Sequence, residues 1–397
     1  MKTFFKWTIS TFLGLALIVA IGWWWIGPAW RALILDPPKN TDILFWNLSQ
    51  RDAGFKVLDQ APFLVKSLAI TPSSNSRELA VGDELVLNQN IDDFFKEQRL
   101  AGALILHKGK IRLEKYGLGH SVDSRWTSFS VAKSFTSSLV GIALKEGLIS
   151  SLNDSVSDYI SGLKGSVYDD VSIEQLLTMT SGVAWNEDYS DPNSDVALFN
   201  NHKAVDGLPT IVSYMRRLSR ANPPGETWHY STGETNLIGI LVEQATGQTL
   251  ADYLTEKIWQ PFGMADKATW ILGPDGNEIS GCCIQASLRD FARYGLFMLE
   301  AGHIHGESVF PQDWVSKATT NRVETSPTSK RSYGYQWWTF EDGSYTARGI
   351  FGQTIFIDPN RDLVIAFNGN WPTATDANLD RKRFEFIDSV KATIDQE

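Results

Sequence analysis

Ser130-Val131-Ala132-Lys133 begins the stretch SVAKSFTSSLVGIALK, residues 130–145, a run of small and apolar residues that ends shortly before Gly147. This composition predicts a buried helix. Positions three apart share a helix face, so we expect the Lys133 amine beside the Ser130 hydroxyl. A serine becomes a nucleophile once a base takes its proton, and a lysine with a lowered pKa is such a base. On this motif alone, the alternative that Ser130 only caps the helix explains the sequence equally well.

Two other segments bear on this interpretation. A second Ser-x-x-Lys, Ser161 to Lys164, has a glycine-containing context typical of a loop, and we set it aside. Further on, Tyr230 lies where a loop rich in turn residues meets an apolar run. A tyrosine at such a corner can relay a proton to a leaving group, or it can simply pack.

The set of motifs resembles the serine β-lactamase-related family, which includes class C β-lactamases, D-alanyl-D-alanine carboxypeptidases, esterases and nylon-oligomer (6-aminohexanoate-dimer) hydrolases. The resemblance covers about residues 90–395, with matching motifs in matching order at Ser130–Thr136, Leu176–Gly182 and Pro224–Ser231. The nylon-oligomer hydrolase-like subgroup is the most similar one, on the segments Arg51–Phe55, Trp185–Pro192 and Gly349–Gln353.

This resemblance implies a serine hydrolase that cleaves amide or ester bonds of small substrates through an acyl-serine intermediate, without cofactor or metal. It makes Ser130 the nucleophile, Lys133 the activating amine and Tyr230 the third catalytic residue. The oxyanion hole would be the backbone N–H groups of Ser130 and Ile350. The expected substrate-binding residues are Tyr189, Trp337 and Gly349.

One departure from the family pattern concerns the strand edge. β-Lactamases and carboxypeptidases have Lys-Thr-Gly or His-Thr-Gly there, whereas this chain has Ala347-Arg348-Gly349. On an alternating strand we expect Arg348 to point away from the site. Substrates held by a carboxylate, such as cephalosporins, should then be cleaved about tenfold to hundredfold less well than neutral ones. β-Lactamase or carboxypeptidase activity, and a non-catalytic envelope protein that binds a ligand, are the alternative functions.

The order of predicted elements indicates an α/β (α+β) fold. Strand patterns occur at 103–116 and again at 335–368, with mostly helical patterns over about 150–325. We therefore predict one antiparallel sheet built from both ends of a domain at 91–397, flanked by helices, with a helical subdomain inserted. Residues 31–90 are expected to form a linker and an N-terminal arm.

The N-terminus predicts a membrane anchor. Lys2 and Lys6 precede Trp7–Trp30, which holds 24 residues without a charge, and about 20 apolar residues cross a bilayer core. We expect residues 1–30 to form a cytoplasmic tip and a single transmembrane helix in the inner membrane, with the remaining chain on the periplasmic side. A cleaved signal peptide, which would leave a soluble periplasmic protein, is the alternative.

The net charge, the histidines and the cysteines bear on possible partners and metal sites, but they leave the oligomeric state open. The net charge is −10, and the densest basic run, Arg381-Lys382-Arg383, lies among acidic residues on a helical pattern, so we expect no nucleic-acid partner. His303 and His305 are expected to be turn residues rather than metal ligands. Adjacent cysteines have Cα atoms about 3.8 Å apart, below the usual disulfide range, so we expect Cys282 and Cys283 to be unbonded.

Overall fold

The computed structural model describes residues 2–40, 42–60, 65–326 and 328–397, and it describes side chains from Leu13 onward. The chain forms two units, one up to Val57 and one spanning Leu58–Glu397. The larger unit therefore includes much of the predicted arm. Strand β1, Ser67–Ile70, pairs there with β5, Ala268–Ile271, so the structural boundary lies near residue 57 rather than near residue 90.

The helices and strands have the following bounds. The α-helices are α1 Lys2–Trp25, α2 Gly27–Leu35, α3 Leu48–Gly54, α4 Ile91–Gln98, α5 Ala132–Lys145, α6 Val156–Tyr159, α7 Ile173–Leu177, α8 Asp195–Leu198, α9 Thr210–Met215, α10 Thr232–Thr246, α11 Leu250–Leu254, α12 Leu288–Leu299, α13 Trp314–Thr319 and α14 Ala377–Ile394. The strands are β1 Ser67–Ile70, β2 Leu100–His107, β3 Lys110–Tyr116, β4 Arg125–Thr127, β5 Ala268–Ile271, β6 Ile284–Ser287, β7 His303–Ile304, β8 Glu307–Ser308, β9 Val323–Glu324, β10 Arg331–Tyr333, β11 Trp338–Phe340, β12 Tyr345–Gly349, β13 Gln353–Asp358 and β14 Leu363–Gly369.

The main sheet has the strand order β3-β2-β14-β13-β12-β11-β10-β9, and its neighbours are antiparallel. Strands from both ends of the domain thus meet where β2 pairs with β14, which confirms the predicted sheet. Alternate side chains of β2 enter different cores. Leu104 and Leu106 pack with α5 and α12, whereas Ala103 and Ile105 pack with α4 and α14. Helices therefore cover both faces of the sheet.

The segment between the two halves of the sheet is less uniformly helical than the sequence indicates. It contains α6–α13, but β5 and β6 also form a four-stranded sheet with β1 and β4 in the order β1-β5-β6-β4. The loop between β5 and β6 passes Gly281, and β4 leads directly into Ser130. This small sheet consequently brings the start of α5 beside residues far along the chain.

Helix α5 is the buried centre of the larger unit. Its residues from Ala132 to Ala143 are inaccessible to solvent or nearly so, and the ring of Phe135 stacks on Tyr294 with centroids 3.5 Å apart. Gly141 permits close packing, because a Cβ atom built there would lie 2.4 Å from the ring of Trp314. The predicted helix is confirmed, with a 3-10 turn at Phe129–Val131 before it.

The predicted membrane span lies partly outside the described side chains, which begin at Leu13. Within the described part, α1 ends at Trp25 and α2 follows at an angle of 110°. No single helix there is both long enough and apolar enough to cross a bilayer, although the bent pair meets the test of length and composition together. A straight transmembrane helix over Trp7–Trp30 is therefore not supported.

The prediction for the cysteines was wrong, because Cys282 and Cys283 form a disulfide. Their Cα atoms are 3.7 Å apart, as expected for neighbours. Cys283 adopts a positive φ of 77° in the loop before β6, so the two side chains turn toward each other. The bond therefore forms at a Cα separation below the usual range for disulfides, in a loop without helical or strand geometry.

We expect Gly141→Ala to destabilise the larger unit by about 1–3 kcal/mol, since overpacking a filled core outweighs the gain of about 1 kcal/mol in helix propensity. Chemical denaturation measures this difference. Trp314→Phe provides space at the same contact, so the cost of Gly141→Ala should fall in that background. Equal losses of stability in both backgrounds would show that the Gly141–Trp314 contact is not the reason why Gly141→Ala destabilises the protein.

Candidate active site

Ser130 and Lys133 lie where β4 turns into α5. Phe129 adopts a positive φ of 42°, a left-handed conformation that turns the chain sharply before the helix. Ser130 is 9% exposed and lines a cavity, and Lys133, at 1% exposed, lies buried behind it. The Lys133 amine donates to the Ser130 hydroxyl at 3.3 Å. The structure thus brings the first two predicted residues together.

The Lys133 amine has two further partners from distant parts of the chain. It donates to the carbonyl of Gly281 at 2.7 Å and to the hydroxyl of Thr232 at 3.0 Å. Burial lowers the pKa of Lys133 to about 8, while the charge of Glu187 acts in the opposite direction. A large fraction of the amine is therefore neutral near pH 8, as a base must be.

Tyr230 completes the predicted trio. It lies one residue before Ser231, which caps α10, and its ring is 5.3 Å from the Lys133 amine. The ring also stacks on Trp338 with centroids 6.0 Å apart. Burial and the charge of Glu187 raise the pKa of Tyr230 far above its usual value, although a hydrogen bond to Ser130 acts in the opposite direction. Tyr230 is thus a neutral phenol, suited to donate a proton.

Glu187 connects these groups in a way that sequence reasoning missed. One carboxylate oxygen accepts hydrogen bonds from the hydroxyls of Tyr189, at 2.6 Å, and Thr232. The other oxygen accepts from the backbone N–H of Thr232 at 2.9 Å and from the indole of Trp185. Because Thr232 also accepts from Lys133, its hydroxyl bridges the amine to the carboxylate.

These groups open onto a cavity of about 440 Å³, a size suited to a small molecule. It is lined by Ser130, Glu187, Tyr189, Tyr230, Trp338, Arg348, Gly349, Ile350, Trp371, Ala374, Thr375, Asp376, Ala377, Asp380 and Arg383. The expected residues Tyr189, Gly349 and Ile350 are among them. Gly349 has little space for a side chain, because a Cβ atom there would lie 2.7 Å from the carbonyl oxygen of Ser128.

The expected oxyanion donors both lie in short 3-10 turns, Phe129–Val131 and Ile350–Gly352. The first N–H groups of a helical turn have no partner within it, which makes them available to an oxyanion. The N–H groups of Ser130 and Ile350 are thus the candidate donors to an oxyanion. Burial raises the pKa of Tyr189 well above its usual value, so its hydroxyl stays protonated and bonded to Glu187.

Trp337 does not reach the cavity, so its predicted role in substrate binding was wrong. It is fully buried, and its ring stacks on Tyr294 and contacts Tyr345 in the core. Its neighbour Trp338 lines the cavity instead. Gln336 has a positive φ of 62°, and β11 begins only at Trp338, so Trp337 precedes the strand and enters the core.

The predicted direction of Arg348 was also wrong, since this residue lines the cavity. Its guanidinium lies over the ring of Trp338 at 5.3 Å and donates to Asp380. β11 pairs with β12 at Tyr345 and Thr346, and β12 continues from there to Gly349. Alternation itself holds there, because β12 pairs with β13 as far as Gly349 and Ala347 enters the core; the side that Arg348 takes is the one that opens onto the cavity.

Several residues of the site could not be derived from the motifs, although the sequence around some of them pointed to their position. Glu187 lies inside the segment Trp185–Pro192 that carries the subgroup resemblance, and Thr232 follows Tyr230 at the start of α10. Arg383 belongs to the basic run that was expected to face solvent. It is 2% exposed and contacts Asp380 and the ring of Trp371. The helical pattern does distinguish it from Arg381, because Arg383 lies four residues after Leu379 and three residues before Phe386, on the apolar face of α14.

The model of the β-lactamase family matches residues 87–387. A 6-aminohexanoate-dimer hydrolase of Paenarthrobacter ureafaciens is 31% identical over 284 residues, which are 68% of this chain and 72% of that protein. A Bacillus anthracis structure provisionally named a 6-aminohexanoate-dimer hydrolase shares the fold with a TM-score of 0.75 and 21% identity, over 86% of this chain and 94% of that one. A family VIII carboxylesterase has a TM-score of 0.61 at 16% identity, over 80% and 99%.

The bridge from Glu187 to Lys133 predicts a shift in pH dependence. A base must be neutral, so kcat/KM should rise with pH through the Lys133 pKa of about 8. The negative charge of Glu187 raises that pKa, and its loss in Glu187→Gln should therefore move the rise to lower pH. The measurement is the pH profile of kcat/KM for an activated ester.

Asp188→Asn is the matched control, because Asp188 is the exposed neighbour whose carboxylate accepts from Ser190. Its profile should coincide with that of the unchanged protein. A Glu187→Gln profile that keeps its midpoint, or moves it to higher pH, would show that Glu187 does not set the protonation of Lys133.

Proposed function

This chain belongs to the β-lactamase family, and we propose that it is a serine hydrolase that cleaves amide or ester bonds of small substrates. The observation that most directly supports this proposal is the contact between Ser130 and the buried amine of Lys133. Hydrolases are the family's common activity, and the finer assignment to an acyl-serine mechanism rests on this contact. The cavity of about 440 Å³ above Ser130 suits a small substrate.

In the proposed first step, the Ser130 oxygen attacks the substrate carbonyl and its proton moves to Lys133. A neutral amine has two N–H groups and one lone pair. The N–H groups are occupied by Gly281 and Thr232, so the lone pair is left to face the Ser130 hydroxyl. The oxyanion is held by the backbone N–H groups of Ser130 and Ile350, and each such donor contributes about 2.7–4 kcal/mol.

Collapse of the tetrahedral intermediate then breaks the bond to the leaving group, which needs a proton. Tyr230 is the suitable donor, since its raised pKa keeps the phenol neutral and its ring lies against the Lys133 amine. Lys133 can return the proton to Tyr230 as the leaving group departs. Attack by water on the acyl-serine, with the same groups in reverse roles, releases the acid and restores Ser130.

β-Lactamase or carboxypeptidase activity is a second candidate within the same chemistry. Arg348 at the cavity favours it, because those substrates carry a carboxylate. Ala347 in place of the strand-edge lysine weighs against it. A non-catalytic ligand-binding role is the candidate from a different class, and a site without Lys133-dependent turnover would support it.

We expect an active-site serine probe to label the protein and Ser130→Ala to abolish the labelling. Lys133→Ala should lower ester turnover by about 10²–10⁴-fold, the usual contribution of a positioned base. Lys164→Ala is the matched control, because Lys164 belongs to the other Ser-x-x-Lys and is exposed. Labelling that persists at another serine would refute the assignment of Ser130, and turnover independent of Lys133 would refute its role as the base.

We also propose that the N-terminal segment attaches the chain to the inner membrane, with the hydrolase domain on the periplasmic side. The segment is uncharged from Trp7 to Trp30, and its apolar side chains at Leu13, Leu15, Leu17, Ile18 and Val19 are exposed. Exposed apolar surface of this kind is typical of a membrane contact. A cleaved signal peptide is the alternative.

Membrane fractionation tests this attachment. The full chain should remain with the membrane after an alkaline wash, whereas a chain that lacks residues 2–35 should not. A reporter that is active only in the cytoplasm, fused after Glu397, should stay silent. A processed chain in the soluble periplasmic fraction would identify a cleaved signal, and a bright reporter would place the domain in the cytoplasm.

A further inference from the structure

The disulfide between Cys282 and Cys283 is a feature that the proposed mechanism does not use. Both cysteines are half-buried, whereas Gly281 before them and Ile284 after them are buried. The chain contains two cysteines, so all of its thiol chemistry lies in this bond. Exposed disulfides are the ones that exchange with thiols, and this bond can therefore be reached by a reductant from solvent.

A bond between neighbouring residues does not stabilise a fold in the way that most disulfides do. A disulfide mainly restricts the unfolded chain, and the restriction grows with the number of residues that the bond encloses. Cys282 and Cys283 are adjacent, so their bond connects no distant segments. Its effect is local, and it restrains the backbone of the loop between β5 and β6 at the point where this loop enters β6.

The residue before the disulfide holds the amine of Lys133. The carbonyl of Gly281 accepts from this amine at 2.7 Å, which is closer than either of the hydroxyl groups that the amine contacts. The backbone N–H of Gly281 donates to the side chain of Asn236 at 3.3 Å. A Cβ atom built at Gly281 would lie 2.9 Å from the side chain of Thr232, so this part of the loop packs closely against α10.

The residue after the disulfide is bonded to the segment that carries the nucleophile. The backbone N–H of Ile284 donates to the hydroxyl of Ser128 at 2.9 Å, and the carbonyl of Ile284 accepts from the backbone N–H of Ser128 at 2.8 Å. Ser128 begins the turn that contains Ser130. The disulfide thus lies between a contact with the base and a contact with the turn of the nucleophile.

The backbone at the disulfide has a conformation that the bond helps to hold. Cys283 adopts a positive φ of 77°, which is unfavourable for a residue with a side chain. Once the bond is broken, the two thiols can move apart and Cys283 can return to a negative φ. That change turns the preceding peptide group, whose carbonyl accepts from the indole of Trp270 at 3.0 Å. Gly281 directly precedes this peptide group, so its carbonyl moves as well.

We infer that the Cys282–Cys283 bond is a site of reversible thiol–disulfide exchange that controls the hydrolase. A dithiol opens the bond, the carbonyl of Gly281 then no longer fixes the Lys133 amine, and turnover falls. This inference rests on the proposed hydrolase function and adds its regulation.

The exchange is balanced as follows. A thiolate of the dithiol attacks one sulfur, the S–S bond breaks, and the other sulfur leaves as a thiolate that takes up a proton. The second thiol of the dithiol then displaces the remaining cysteine from the mixed disulfide. Two electrons and two protons pass to the cysteines, and the dithiol becomes a disulfide. A small disulfide such as oxidised glutathione closes the bond by the reverse exchange.

Reduction of the folded full-length protein tests the inference. The protein is treated with dithiothreitol, the reductant is removed in the absence of air, and the free thiols are counted by mass after alkylation of a sample. On the plateau above the Lys133 pKa, kcat/KM for an activated ester should fall by about tenfold, which corresponds to the loss of one hydrogen bond. Treatment with oxidised glutathione should restore it.

The pH profile distinguishes a change at Lys133 from a general loss of structure. A carbonyl acceptor favours the charged amine, so displacement of the Gly281 carbonyl should lower the pKa of Lys133. The rise of kcat/KM should therefore lie at lower pH in the reduced form than in the oxidised form. The charge of Glu187, which reaches the amine through Thr232, is present in both forms.

The double variant Cys282→Ser with Cys283→Ser is the matched control, because it cannot form the bond. It should have the lowered kcat/KM of the reduced protein, and dithiothreitol should leave it unchanged. Thermal unfolding is the control for the fold. The Tm values of the oxidised and the reduced protein should agree within about 4 °C, because a bond between neighbours adds little stability.

The outcomes separate this inference from the proposed function. Two alkylated thiols with an unchanged kcat/KM would overturn the control by exchange and leave the hydrolase intact, as would a bond that dithiothreitol does not open in the folded protein. A lowered kcat/KM with an unchanged midpoint, or with a large fall in Tm, would overturn the action through Lys133. Absence of Ser130-dependent turnover in the oxidised protein would overturn both the inference and the proposed function.

Discussion

The burial of one amine organises this site. Lys133 is 1% exposed, and an ammonium group in such a position would lose most of its hydration. The chain compensates with a carbonyl from the loop between β5 and β6 and a hydroxyl from the start of α10. Two distant segments therefore have to converge on the start of α5, and the small sheet and the cap of α10 are the elements that hold them there.

The same burial makes the amine easier to deprotonate than that of an exposed lysine. Burial lowers its pKa to about 8, and Glu187 prevents a larger fall. The carboxylate acts through Thr232, so its charge is near the amine without forming a direct ion pair. A direct pair would favour the charged amine more strongly and would leave less of the neutral form for the reaction.

The parts of the fold and site that depend on local spacing were predictable from the sequence. The Ser-x-x-Lys motif places Ser130 and Lys133 on one helix face whatever the surroundings, and alternating strands at both ends of the domain define the main sheet. Contacts between distant segments were not predictable in the same way. Glu187 and Thr232 are 45 residues apart, and no periodicity relates them.

The wrong predictions have different causes. Trp337 was expected at the site from the family resemblance, but it lies in the core, directly after the positive φ of Gln336. The alternation rule placed Arg348 away from the site, whereas the side that Arg348 takes on β12 is the one that opens onto the cavity. The usual disulfide distance excluded a bond that a positive φ at Cys283 permits. Functional sites collect such positions, because strained turns direct side chains into a cavity.

The charged groups at the cavity form two separate sets of contacts. The carboxylate of Glu187 reaches the Lys133 amine through the hydroxyl of Thr232, while Arg348 donates to Asp380. The ring of Tyr230 lies near the amine, and the ring of Trp338, which stacks on Tyr230, lies near the Arg348 guanidinium. Because Arg348 is paired with a carboxylate, Glu187 is the charge that adjusts the pKa of the amine, and it does so without occupying the side of the amine that contacts Ser130.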